Sequence, residues 1–163
     1  MVTHKLILDD DFQDDFSLIA IHCSNEPYKM AYILNKKIPL RLVRKKKDID
    51  FSNQGLEVSF PIFEFEDEYN YFLYNLVANK NKSLSAKIYS SGGLFDELSS
   101  EKTISTFLIN EFKTVDFFLK IQSDYEKVST RNIISAINEI EQVISAYDVD
   151  IDKIKTKNNL IFN

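Results

Sequence analysis

Tryptophan is absent from this 163-residue chain, and cysteine (one), glycine (three) and proline (three) are nearly so. The lone Cys23 excludes an intrachain disulfide and a cysteine-built zinc site, and it fits a reducing compartment. Scarce glycine excludes collagen-like tracts and the glycine-rich loops that cradle nucleotide phosphates. The one glycine pair, in Ser90-Ser91-Gly92-Gly93, lacks the lysine of a P-loop and reads as a hinge. Long apolar runs are missing too. Leu6-Ile7-Leu8 meets Asp9-Asp10-Asp11 at once, too short for a signal-peptide core or a membrane span, so the expectation is a cytoplasmic protein without a membrane partner. The only imidazoles are His4 and His22, with no His-Glu-x-x-His or Gly-x-Ser-x-Gly around them. On a strand His22 and Cys23 would point to opposite faces and form no nucleophile-base couple. No catalytic residue, cofactor or metal is expected.

What remains is apolar, aromatic and charged. A hydrophobic content of 44% suits one α+β domain over residues 1–163, able to bury roughly 70% of its unfolded surface, with a tail after 150 that either docks or stays loose. The aromatics, 13 Phe and 8 Tyr, favour sheet packing. Apolar runs or alternation predict strands at Lys5–Leu8, Phe16–His22, Arg41–Lys45, Leu56–Phe60, Phe63–Phe65, Tyr69–Val77 and Ala86–Tyr89, with a polar loop at Asn79–Ser85. Pro61 should set its strand at an edge or a bulge. Asn25 and Pro27 predict the start of a short helix carrying Met30, Ile33 and Leu34 on one face. A second, longer helix is predicted over Thr130–Tyr147 from Ile133, Ile137, Ile140, Ile144 and Tyr147. The sum is a mostly antiparallel sheet of about six strands with two main helices, the longer packed on one sheet face.

Ile109-Asn110-Glu111-Phe112-Lys113-Thr114-Val115-Asp116-Phe117 resembles the signature of the IPExxxVDY family of small bacterial proteins, with Asn110 in place of proline and Phe117 in place of tyrosine. The family has no known activity, so the resemblance implies a kind of object and no reaction. Proline and asparagine both suit turns, and phenylalanine keeps the ring while losing the hydroxyl, so the stretch reads as architecture. Flanking strands at Thr103–Leu108 and Thr114–Ile121 would make it a hairpin, with Glu111, Lys113, Asp116 and Lys120 as its polar members.

Three surfaces carry candidate functions. Phe63, Phe65, Tyr69, Tyr71, Tyr74 and Phe118 cannot all face one core, which points to a non-catalytic binding or assembly module meeting a protein partner or a second copy through an aromatic sheet surface. Lys36, Lys37, Arg41, Arg44, Lys45, Lys46 and Lys47 form an acid-free basic run. RNA is the alternative partner there, with Tyr28 or Tyr32 to stack a base, although the net charge of −5 opposes general attraction to phosphate. The acidic stretches Asp9, Asp10, Asp11, Asp14, Asp15 and Glu64, Glu66, Asp67, Glu68 raise metal-assisted hydrolysis as a further alternative, but neither has calcium-loop spacing.

Overall fold

Phe16-Ser17-Leu18-Ile19-Ala20-Ile21 offers no face to water, and the computed structural model buries all six residues inside a sheet. Residues 16–53, 56–84, 103–123, 125 and 128–162 are described. The order is β1 (Phe16–His22), α1 (Pro27–Lys37), β2 (Val43–Arg44), β3 (Ile49–Asn53), β4 (Leu56–Phe60), β5 (Ile62–Asp67), β6 (Phe72–Ala78) and β7 (Lys80–Leu84). After these come β8 (Thr103–Phe107), a 3-10 turn at Asn110–Phe112, β9 (Phe117–Ser123), α2 (Arg131–Asn138), β10 (Ser145–Asp148) and 3-10 turns at Ile151–Lys153 and Lys157–Leu160. Six strands form an antiparallel sheet in the order β10-β1-β9-β6-β5-β2, while β3 pairs with β4 and β7 with β8 in two-stranded ribbons. The expected α+β class, with two helices and a six-stranded antiparallel sheet, is what the chain adopts.

Register builds two cores. Ile19, Leu119, Leu76 and Phe63 are cross-strand neighbours on the face covered by Met30 and Leu34 of α1 and Ile137 of α2. Ala20, Phe118, Val77 and Ile62 line the opposite face, against Val58 and Phe60 of β4, Ile109 and Val115 of the signature, and Ile154 and Leu160 of the tail. Each fully buried side chain of this size contributes about 1.5–3 kcal/mol, so both faces of the central strands matter. From the pairings, β1 runs parallel to β2 and β9 parallel to β10, which makes β1-α1-β2 and β9-α2-β10 split crossovers. They leave oppositely directed strands in opposite directions along the sheet. With both helices on one face they therefore share one hand.

The structure corrects several expectations. The helix predicted over Thr130–Tyr147 stops at Asn138, and Ser145–Asp148 is instead an edge strand on β1. Asn138 causes the change: its amide oxygen accepts from Ala146 N–H at 2.7 Å and its Nδ2 donates to Ala146 C=O at 2.9 Å. Ile144, placed on the helix stripe by its spacing, is 76% exposed. The strand at Arg41–Lys45 contracts to Val43–Arg44, Asn79–Ser85 is mostly β7 rather than loop, and β3 had no clear alternation to announce it. Pro61 does mark a break, where the chain leaves β4 of a ribbon for β5 of the main sheet. The tail docks, burying Ile154 and Leu160. Strand expectations at Lys5–Leu8 and Ala86–Tyr89, the hinge at Ser90–Gly93, His4 and the carboxylates Asp9–Asp15 lie outside the described residues.

Candidate functional site

The signature is no hairpin, because β8 pairs with β7 while β9 lies between β1 and β6. It is the passage from ribbon to main sheet, and Asn79 holds it. This fully buried side chain accepts from Ile109 N–H at 2.8 Å and donates to Phe112 C=O at 2.7 Å and Val115 C=O at 3.1 Å. Its backbone N–H donates to Asp116 C=O and its C=O accepts from Leu108 N–H, both at 2.8 Å. Every polar group of Asn79 is thus used within the signature or next to it. An amide reproduces the donor and acceptor of a strand, which is why asparagine fits where the ladder is interrupted.

Glu111 faces the tail. One carboxylate oxygen accepts from Lys155 N–H at 2.7 Å and Thr156 N–H at 3.1 Å, the other from Thr156 Oγ1–H at 3.0 Å. Partial burial pushes its pKa up, but bonds from its own amide, Lys155 and Thr156 outweigh that and hold it below the usual glutamate range. Asn159 Nδ2 donates to Leu108 C=O at 2.8 Å, and Lys120 Nζ donates to Leu160 C=O at 2.8 Å. Asp116 instead secures the end of β1, its Oδ2 accepting from Cys23 N–H at 2.9 Å. Of the signature residues, Ile109, Val115 and Phe117 are buried packing, Asn110 is exposed in the turn, and Glu111 and Asp116 bind backbone. Glu111 and Asp116 thus serve separate places.

Three of the seven cations of the basic run are ion-paired among the described residues. Lys37 pairs with Glu139 at 2.7 Å, Arg44 with Asp48 at 2.6 Å and Lys45 with Glu64 at 2.9 Å, while Lys36 lies over the Tyr32 ring at 4.8 Å. Arg41, Lys46 and Lys47 are exposed and form no ion pair among the described residues. Tyr28 and Tyr32 are 68% and 57% exposed on α1.

The aromatic set divides. Phe118, Phe63 and Tyr74 are buried, and Phe65 stacks on Tyr74 at 5.8 Å, so the sheet faces carry no open aromatic surface at these positions. Tyr69 and Tyr71 remain out, at the β5–β6 turn, 94% and 60% exposed. Tyr125, 77% exposed, meets the Tyr71 ring edge-on at 5.4 Å. Asp67 fixes the turn by accepting from Asn70 Nδ2 at 2.7 Å, Asn70 N–H at 3.2 Å and Tyr69 N–H at 3.1 Å. The Asn70 side chain leads in holding its carboxyl below the usual aspartate range. Tyr71 sits at φ 57°, left-handed backbone that a bulky residue adopts at a cost of roughly 1 kcal/mol. Glu66 and Glu68 are exposed beside it, making an acidic, tyrosine-bearing tip.

No family model matches the chain, and neither a curated protein nor a solved structure resembles it significantly. Among the described residues no group of three or more His, Cys, Asp or Glu is arranged to hold a metal ion, and no helix is long and apolar enough to cross a membrane. Sequence reasoning missed Asn79 and Asn138, whose only signal was a polar amide at the end of an apolar run, and it missed Tyr125.

Proposed function

We propose that the protein is a non-catalytic assembly module that docks a cationic protein surface on the tip of the β5–β6 hairpin. One observation carries this: Tyr71 holds a left-handed backbone, where glycine would be cheaper, while its ring stays mostly exposed beside Tyr69 and Tyr125. Strain of this kind persists at binding positions, and tyrosine supplies contact area at low entropy cost. Glu66, Asp67 and Glu68 make the tip complementary to lysine and arginine, whose heads also bind aromatic faces. The test is quantitative affinity capture from native lysate with nuclease present, using wild type and Tyr69→Ser/Tyr71→Ser/Tyr125→Ser. Recovery of a basic protein, or of a second copy, should fall about tenfold in the variant. Equal recovery by the two proteins rules the tip out.

A second role has its own observation, since Arg41, Lys46 and Lys47 are exposed without an acid partner among the described residues. They would hold single-stranded RNA through phosphates. Its affinity should drop steeply with salt, and Lys46→Glu/Lys47→Glu should flatten that slope. Salt-insensitive binding contradicts it.

A further inference from the structure

An open cleft of about 630 Å³ lies where the β1–α1 loop, the β4–β5 junction, β7 and the end of the signature meet. Its volume is within the range that holds small-molecule ligands, roughly 300–1,000 Å³. Phe60 and Phe117 contribute apolar lining, while the polar lining includes two cations, Lys80 and Lys82, two carboxylates, Glu26 and Asp116, and the amide of Asn25. Lys80 and Lys82 alternate on β7, so their side chains leave the same side of the strand about 7 Å apart. Neither forms an ion pair among the described residues, although Lys80 Nζ lies 5.8 Å from the Phe107 ring centroid. Two neighbouring cations that no carboxylate of the described residues pairs with directly leave a place for an anion.

Asp116 supplies the opposite sign and is unusually well held. Its N–H donates to Ile21 C=O at 3.2 Å, its C=O accepts from Asn79 N–H at 2.8 Å, and its Oδ2 accepts from Cys23 N–H at 2.9 Å. Oδ1 has no hydrogen-bond partner among the described residues, and the side chain is only half-buried. A fixed carboxylate with one free oxygen suits a cationic or N–H donor group. Asn25 adds an acceptor, since its Nδ2 donates to Cys23 Sγ at 3.2 Å and its oxygen has no hydrogen-bond partner among the described residues.

We infer that this cleft binds a small zwitterion, with its carboxylate or phosphate on Lys80 and Lys82 and its ammonium on Asp116. The inference is independent of the tyrosine tip, which belongs to a different turn. A protein using both would be a ligand-responsive assembly module.

The experiment is an amide NMR titration of the full chain with four probes: γ-aminobutyrate, O-phosphoethanolamine, inorganic phosphate and ethanolamine. The two zwitterions distinguish a carboxylate from a phosphate head, and the last two carry one charge sign of the pair. Saturable shifts at Cys23, Lys80, Lys82 and Asp116, with one zwitterion at least about tenfold tighter than either single-charge probe, support the site. Asp116→Asn keeps the acceptor for Cys23 N–H and should leave the thermal midpoint unchanged while weakening that zwitterion about tenfold. Lys80→Ala/Lys82→Ala should do the same. No saturable shift with either zwitterion, phosphate binding as tightly as both, or an Asp116→Asn protein that binds like wild type overturns the proposal.

Discussion

Asn79→Ala removes one side chain and strands several partners. The main-chain bonds to Asp116 and Leu108 survive, but Ile109 N–H and Val115 C=O lose their partner inside a dry region, since Ile109 and Val115 are 0% and 1% exposed. Each buried group left unsatisfied costs about 1–3 kcal/mol, so the two together cost about 2–6 kcal/mol. Phe112 C=O is nearer the surface and can turn to water. Against a domain stability of about 5–15 kcal/mol, that is a large share. The assay is urea unfolding followed by far-UV circular dichroism, as the chain has no tryptophan to report by fluorescence. With a slope of about 2 kcal/mol per molar, the midpoint should fall by about 1–3 M. Asn81→Ala is the control. Its amide donates to Ser59 C=O at 2.6 Å at an exposed site, where loss should stay under about 1 kcal/mol. If Asn79→Ala unfolds within about 0.5 kcal/mol of wild type at unchanged slope, the turn is not held as described.

Three further outcomes follow from the same geometry. Tyr71→Gly should be neutral or stabilising by up to about 1 kcal/mol, because glycine accepts positive φ freely, yet it should weaken docking; a destabilised variant in a melting experiment contradicts this. Glu111 has a depressed folded pKa, so its hold on the tail is fully present above the ordinary glutamate value of about 4.3 and is lost as pH falls through the lower folded value. Hydrogen exchange at Lys155 and Thr156 should therefore quicken, beyond the intrinsic rate change, as pH falls below about 4.3, and Glu111→Gln should lack the transition. Asn138→Ala frees the outer edge of β10 and should cost about 1–2 kcal/mol while promoting association of sheet edges, read by light scattering; a monodisperse variant of wild-type stability refutes the edge-guarding role.

The sheet was legible where burial and pattern agreed. Phe16–His22 has no polar face, and that alone marks a strand covered on both sides. Hydrophobic steps of three and four misled at Ile140, Ile144 and Tyr147, because an edge strand following a turn happens to keep helical spacing there, and only the Asn138 amide tells the two apart. The signature region was legible as a turn but not in its pairing. Which strand accepts β9 depends on long-range register, and a polar residue such as Asn79 looks the same in sequence whether it sits in a loop or clamps a buried bend. The tip was half legible. Tyr69 and Tyr71 stood in an aromatic run, but nothing local separates them from Phe63, Tyr74 and Phe118, which the sheet buries.

The most direct test of the docking surface is photo-crosslinking from the tip itself. A benzoylphenylalanine placed at Tyr69, and separately at the equally aromatic but distant Tyr28, is irradiated in cells and the adducts are identified by mass spectrometry. Adducts to a lysine- and arginine-rich protein surface or to a second copy, formed from position 69 and not from 28, are the predicted result. Position 69 yielding nothing above the level seen at 28 would contradict the assignment of the tip as the working surface.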